Sequence, residues 1–345
     1  MKPAPLALGL VAVTICAAAG WAFVPPALLD RAIEEDDRAL ATAAPRAAGD
    51  AEVLAVALTA DGSRLAVGGT GPHVLIHDAT SGEHVLSLEL QDWAVDLDWS
   101  GDGRWLAAVA RGGRVLIWDV RAGQPVWASP SGSVGSAIAF HPTAATAAWA
   151  DRDGSIQLVH VSEQRTGGRL VGLDGPATSL AWTPGGGSLL AGTRGGSVAS
   201  FAKADGRLEL QAAAHEGPVT GLSSPEGRPI VITAGHDGAV RVWSLDAELT
   251  LLNERSPHSG RWLAAATLGP HERFVAGGTS RDLFAWSFAG ERDRLSGQGS
   301  WIRSLAVSAD GTRVATGGGG QVVLWRGPDL VIEQVLTPAH RLVDG

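Results

Sequence analysis

The stretch Gly235-His236-Asp237-Gly238-Ala239-Val240-Arg241-Val242-Trp243 reads as a tight Asp-Gly turn feeding a short strand that ends on a large aromatic side chain. Gly takes the positive φ that a two-residue hairpin needs, and Val240-Arg241-Val242 has the two-residue period of a half-buried strand. The same unit recurs along the chain. Its closing residues are His77, Trp118, Val159, Phe201, Trp243, Trp286 and Trp325, spaced 41, 41, 42, 42, 43 and 39 residues apart. Equivalent turns precede the third strand at Gly112-Gly113, Asp153-Gly154 and Gly195-Gly196.

Working back from each closing residue, an earlier turn lies about 16 residues upstream, as at Ala60-Asp61-Gly62, Gly101-Asp102-Gly103, Pro184-Gly185-Gly186 and Ala309-Asp310-Gly311. Stretches such as His84 to Leu90 and Arg207 to Gln211 add a fourth strand. Four strands in about 42 residues make a sheet too small to bury both faces alone, so neighbouring sheets must stack radially. The expected fold is therefore all-β, a seven-bladed β-propeller of four-stranded antiparallel blades over residues 51–345, preceded by an N-terminal hydrophobic helix. The inner strand Val53 to Leu58 and the outer strand Leu330 to Leu336 complete the first and last repeats from their own residues, so the ring is expected to close without strand exchange. The 46 glycines among 345 residues serve the recurring turns. Trp118 and Trp243 are expected to fill the space between blades.

The fifth repeat carries a family resemblance. His215-Glu216-Gly217-Pro218-Val219, Ser224-Pro225-Glu226-Gly227 and the nine residues ending at Trp243 together resemble the WD-repeat β-propeller family, and the resemblance extends at the level of fold over residues 51 to about 337. It implies that His215, Thr233, Asp237 and Trp243 form a hydrogen-bonded tetrad bracing the blade. No other repeat has the full set. His258 matches His215 in position, but Ser280 stands where the aspartate belongs. The Trp-Asp dipeptide occurs in strand position at Trp118-Asp119, whereas Trp243-Ser244, Trp286-Ser287 and Trp325-Arg326 lack the acid.

The N-terminus reads as an export signal. Leu6 to Val24 carries no charge, follows Lys2, and is stopped by Pro25-Pro26. Nineteen helical residues rise about 28 Å, enough to cross a bilayer core, while Ala17-Ala18-Ala19 offers a cleavage site. Residues 1–26 are thus a signal peptide or a signal anchor, and residues 27–50 a linker with one short helix. Either reading exports the remainder, and the acidic flank Glu34 to Asp37 agrees with that orientation. The expected location is periplasmic, or the extracytoplasmic face of the cytoplasmic membrane.

Composition excludes several chemistries. A formal charge of −9, from 36 acidic and 27 basic residues, disfavours polyphosphate, so no nucleic acid is expected as a partner. A single Cys forms no intrachain disulfide and no Cys-based metal site. There is no His-Glu-x-x-His helix, Gly-x-Ser-x-Gly elbow or P-loop. The glycine runs Gly68-Gly69-Thr70-Gly71 and Gly317 to Gly320 fall at hairpins, so no cofactor is expected. His73, His77 and His84 cluster in one repeat but read as structural or surface residues, and no metal is assigned. Channel-facing acids are expected at Asp96 and Asp98, without a partner cluster in other blades.

Counting nine residues back from each first turn gives Glu52, Trp93, Val134, Pro176, Gly217, Trp262 and Trp301 where the first strands open. In the family that the chain resembles, this region lies on the face most used for partners. Trp93, Trp262 and Trp301 then share one arc of the ring as a partner-binding patch. The alternative is packing at the blade edge, since Trp93 is in phase with Val95, Leu97 and Trp99. The resulting expectation is a non-enzymatic, extracytoplasmic scaffold for a protein partner. The alternative is a propeller enzyme, or a small-ligand or metal-binding protein, working at the channel mouth.

Overall fold

The structure is a computed structural model; it describes residues 52–130, 132–225, 227–256, 263–268, 273–279, 281–287 and 292–337, with only the backbone of 263–268 and 292. The expected N-terminal helix and linker, His258, Ser280 and Trp262 lie outside the described residues.

Among the described residues, twenty-eight strands form seven separate four-stranded sheets, each a meander of consecutive antiparallel strands. Blade I holds β1–β4 (53–89), blade II β5–β8 (94–128), blade III β9–β12 (135–170) and blade IV β13–β16 (177–213). Blade V holds β17–β20 (219–255), blade VI β21–β24 (263–296) and blade VII β25–β28 (304–336).

The turns behave as their glycines dictate. Gly62, Gly103, Gly186, Gly227 and Gly311 in the first turns all sit at φ between 62° and 78°. Gly113, Gly154, Gly196 and Gly238 in the second turns sit between 80° and 94°, where a Cβ would be strained.

The core lies between blades, sheet against sheet. Trp118 packs with Ala55, Ala66, Val74 and Ile76 of blade I, Trp286 with Ile230, Ile232 and Val242 of blade V, and Trp325 with Val275, Leu283 and Ala285 of blade VI. All seven repeat-closing residues are buried. Each large anchor is therefore a wedge driven into the preceding seam, which keeps water from both sheet faces.

Among the described residues ring closure uses no shared strand, because blade VII is β25–β28 alone. Individual hydrogen bonds join it to blade I instead. The Val56 amide donates to Ser304 Oγ (3.0 Å), the Ala309 amide to the Ala60 carbonyl (2.9 Å), and Gln334 Nε2 to the Ser81 carbonyl (3.0 Å).

The inner strand carries a β-bulge at the same repeat position in six blades, at Leu54, Val95, Ser136, Thr178, Thr220 and Ala264. The bulge spares hydroxyls for the next blade: Ser136 Oγ donates to the Ala177 carbonyl and Thr178 Oγ1 to the Val219 carbonyl, both at 2.7 Å. A bulge also shifts the alternation of the strand. Trp93, Val95, Leu97 and Trp99 accordingly do not form one stripe; Leu97 and Trp99 are buried while Val95 is exposed.

Candidate functional site: blade braces, channel wall and strand-opening face

Blade V contains a continuous polar chain inside an apolar seam. Trp243 Nε1 donates to Thr233 Oγ1 (3.0 Å), the Thr233 hydroxyl donates to His215 Nε2 (2.8 Å), and His215 Nδ1 donates to Asp237 Oδ1 (2.9 Å). The order follows from donor arithmetic. The indole can only donate, so the hydroxyl passes its own proton onward, which places the imidazole proton on Nδ1. Arg241 extends the chain with Nη1 at 2.7 Å from Asp237 Oδ2 and Nε at 3.1 Å from Glu254. Nη1 also lies 2.8 Å from His215 Nδ1, two donors side by side that both aim at Asp237. Burial pushes the Asp237 carboxyl up, but the bonds from His215 and Arg241 outweigh it and hold the group below the usual carboxylate range.

A second brace, in blade VII, is not legible from the His-Asp pattern. Trp325 Nε1 donates to Thr316 Oγ1 (2.9 Å), and that hydroxyl donates to Gln298 Oε1 (2.8 Å). Gln298 Nε2 then donates to the carbonyls of Gly318 (3.3 Å) and Gln321 (3.4 Å). An uncharged amide does the work of the imidazole and reaches the backbone without an aspartate. The only sequence signal was spacing: Gln298 stands 27 residues before its tryptophan, and His215 stands 28 before its own.

The axial channel encloses about 440 Å³, and its charged lining among the described residues is Asp96, Asp98 and Arg303. Both acids lie on β5 and reach across to β9. Asp96 Oδ2 accepts the Ile138 amide (2.8 Å) and Asp98 Oδ2 the Phe140 amide (2.6 Å). Their other oxygens accept the amides of Leu97 (3.0 Å) and Trp99 (2.9 Å). Burial dominates their titration and pushes each carboxyl up to about 7, opposed by those backbone donors; for Asp98 the neighbouring Asp96 charge adds to the rise. The two groups therefore act as side-chain rungs between blades II and III. Ser304 does the same between blades VII and I. Among the described residues no three His, Cys, Asp or Glu side chains gather as a metal site. In the histidine-bearing blade, His77 Nδ1 faces the Gly82 carbonyl (3.1 Å) and His84 Nε2 faces Ser87 Oγ (3.0 Å).

Where the first strands open, Trp93 is half-buried beneath the Arg111 guanidinium, 4.4 Å above its ring. Trp301 is 50% exposed, and among the described residues no other aromatic side chain is as open to solvent. Its backbone is fixed by close packing: a Cβ on Gly318 would stand 1.7 Å from the Trp301 carbonyl oxygen. Arg303, two residues on, pairs with Glu52 across the closing seam at 3.7 Å.

Seven blades around a narrow channel, two of them carrying polar braces, define a β-propeller. The family model described as WD domain, G-beta repeat, matches residues 82–119, 207–244 and 291–326. Each match runs from the outer strand of one blade to the third strand of the next, so the sequence repeat straddles a seam. With the seven-bladed ring, these three repeats make the chain a WD-repeat β-propeller. Comparison with curated proteins finds no match.

Proposed function

We propose that this propeller is a non-enzymatic scaffold, held outside the cytoplasmic membrane by its N-terminal segment, that takes a protein partner on the face where the first strands open. WD-repeat propellers commonly mediate protein–protein contacts, and the observation that carries the reading here is Trp301, a large aromatic side chain left half exposed on a backbone that neighbouring residues hold in place. A rigid, solvent-facing tryptophan loses little conformational entropy on binding and buries a large area, which is why such residues anchor interfaces. Trp93 with its Arg111 cap lies at the equivalent position two blades on and offers a second anchor. The export reading rests on the uncharged stretch 6–24 and the proline pair behind it.

A channel-ligand function is the competing reading, supported by the raised carboxyls of Asp96 and Asp98. Those groups spend all four oxygens on backbone amides, which favours the scaffold. The test is affinity capture from envelope extracts with wild type, Trp301→Ala and Trp93→Ala, each checked for unchanged melting temperature. Proteins held by wild type and lost from the stable variants support the reading. Equal capture by all three refutes the face. A rise of several degrees in melting temperature with a divalent metal favours the channel instead. N-terminal sequencing of membrane and soluble fractions tests the anchor against the cleaved signal.

A further inference from the structure

Each second strand opens on one residue, which in blades II, V, VI and VII reaches into the seam with the next blade. In chain order it is Arg64, Trp105, Thr146, Ser188, Ile230, Arg273 and Arg313. The arginines of blades VII and VI show what the position is built to hold. Arg313 is buried, and its guanidinium crosses from blade VII into blade I. Nη1 donates to the Gly62 carbonyl (2.8 Å), Nη2 to Thr80 Oγ1 (3.1 Å), and Nε and Nη2 to Glu333 (3.1 and 3.0 Å). Arg273 repeats the arrangement between blades VI and VII, donating to the Pro328 carbonyl (2.7 Å) and pairing with Asp293.

The acceptors occupy fixed places in the repeat. Thr80 and Pro328 each stand three residues past the strand-closing His77 or Trp325. Glu333 and Asp293 each follow the residue paired with the closing tryptophan, Ile332 opposite Trp325 and Arg292 opposite Trp286. Transferred to the seam between blades IV and V, the same rules select Asp246, three past Trp243, and Glu209, which follows Leu208 opposite Phe201. Gly227, in the first turn of blade V and at positive φ like Gly62, supplies the carbonyl position. The acceptor set is complete there, but the arginine is replaced by Ser188. Its local backbone is unchanged: the Ser188 amide bonds to Thr183 Oγ1 (3.1 Å) as the Arg313 amide bonds to Ser308 Oγ (3.0 Å). With the long side chain missing, the seam opens as a cleft of about 640 Å³ whose lining includes Ser188, Glu209, Gly227 and Asp246.

We propose that the cleft between blades IV and V seats an arginine side chain of a protein partner, the external group taking the place that Arg313 and Arg273 hold in their own seams. The inference rests on the scaffold reading for the existence of a partner, but not for its position on the ring. A carboxylate, a second carboxylate and a turn carbonyl suit the planar, five-donor guanidinium, whereas an ammonium matches only the charge. Arg207 and Arg228 also line the cleft, and Arg207, largely exposed, lies 3.9 Å from Glu209. The seat is therefore not a bare anionic hole, and hydrogen-bond geometry rather than charge decides what enters.

The experiment titrates the full chain with capped Gly-Arg-Gly and, as control, capped Gly-Lys-Gly at low salt, followed by calorimetry or chemical-shift changes. Arginine is expected to bind at roughly millimolar strength, and lysine at least about fivefold more weakly. Ser188→Arg fills the seat from within, so it abolishes tripeptide binding and does not lower the melting temperature. Glu209→Gln, at a half-exposed position that the fold tolerates, weakens binding about tenfold and serves as the readout if Ser188→Arg misfolds. Equal binding of the two tripeptides, or undiminished binding by Ser188→Arg or Glu209→Gln, overturns the proposal. If the tripeptide binds as expected while no protein is captured, the cleft stands and the scaffold reading fails. Partner capture that survives Ser188→Arg but not Trp301→Ala overturns the cleft as the partner's seat and leaves the scaffold intact.

Discussion

Replacing Thr233 by Val tests whether the polar chain of blade V is a brace or an ornament. The side chains have nearly the same shape, and the site is fully buried, so packing changes little. What is lost is the hydroxyl that accepts from Trp243 Nε1 and donates to His215 Nε2. Two buried polar groups then lack partners, and at about 1–3 kcal/mol each the expected cost is ~4 kcal/mol. In a ring of this size that lowers the melting temperature by roughly 8–16 °C, on a scale of about 2–4 °C per kcal/mol. The assay is urea unfolding followed by tryptophan fluorescence, with Thr316→Val measured beside it. Thr316 stands in the same relation to Trp325 and Gln298 and is equally buried, so a similar loss is expected at neutral pH.

The two braces differ in how they respond to acid. Asp237 is held below the usual carboxylate range, so its contribution is complete above the unfolded value of about 4 and fades as pH falls below it. The Gln298 brace contains no titrating group. The Thr233→Val deficit should therefore shrink in acid while the Thr316→Val deficit does not. A Thr233→Val protein within about 0.5 kcal/mol of wild type at neutral pH would refute the argument, since that is the scatter of an ordinary surface change.

Other seams make separate predictions. Because burial pushes Asp96 and Asp98 up to about 7, the folded protein binds more protons than the unfolded chain between about pH 4 and 7. Their contribution is complete below about pH 4 and is lost progressively as pH rises from there to about 7. A stability profile from pH 5 to 8 should fall by a few kcal/mol, and Asp96→Asn with Asp98→Asn should flatten it; an unchanged slope in the double variant contradicts the assignment. Gly318→Ala drives a Cβ into the Trp301 carbonyl, so it should cost more than about 2 kcal/mol by denaturant unfolding and shift Trp301 fluorescence, whereas a neutral effect would show the backbone is free to yield. Trp301→Ala should leave the unfolding midpoint within about 0.5 kcal/mol of wild type, because half the side chain already meets solvent; a large loss would show that it is core.

The ring itself was readable in advance, since spacing near 42 residues, turn glycines and closing aromatics are local signals that each blade repeats. His215, Thr233, Asp237 and Trp243 could be named because the fifth repeat resembles the WD-repeat pattern, which implies a tetrad at those positions. Gln298 escaped notice because an amide advertises nothing until its oxygen is seen 2.8 Å from Thr316. Asp96 and Asp98 were placed at the channel, but not as rungs to β9, because which amide a carboxylate meets depends on the next blade. Trp93 lost its place in the stripe with Val95 for a similar reason, a bulge that two-residue counting cannot see.

The sequence by itself determined the number of blades, the strand order within them and the side chains that wedge the seams, because these follow from periodicity and turn chemistry along the chain. Only the tertiary structure decided which seam is filled and which stands open. Ser188 is an unremarkable strand residue until Glu209, Gly227 and Asp246 are brought around it from other strands and the next blade, and Arg313 is seen occupying the same place on the far side of the ring. Contacts between blades join residues some 40 to 250 positions apart, and no local pattern encodes what such neighbours leave empty.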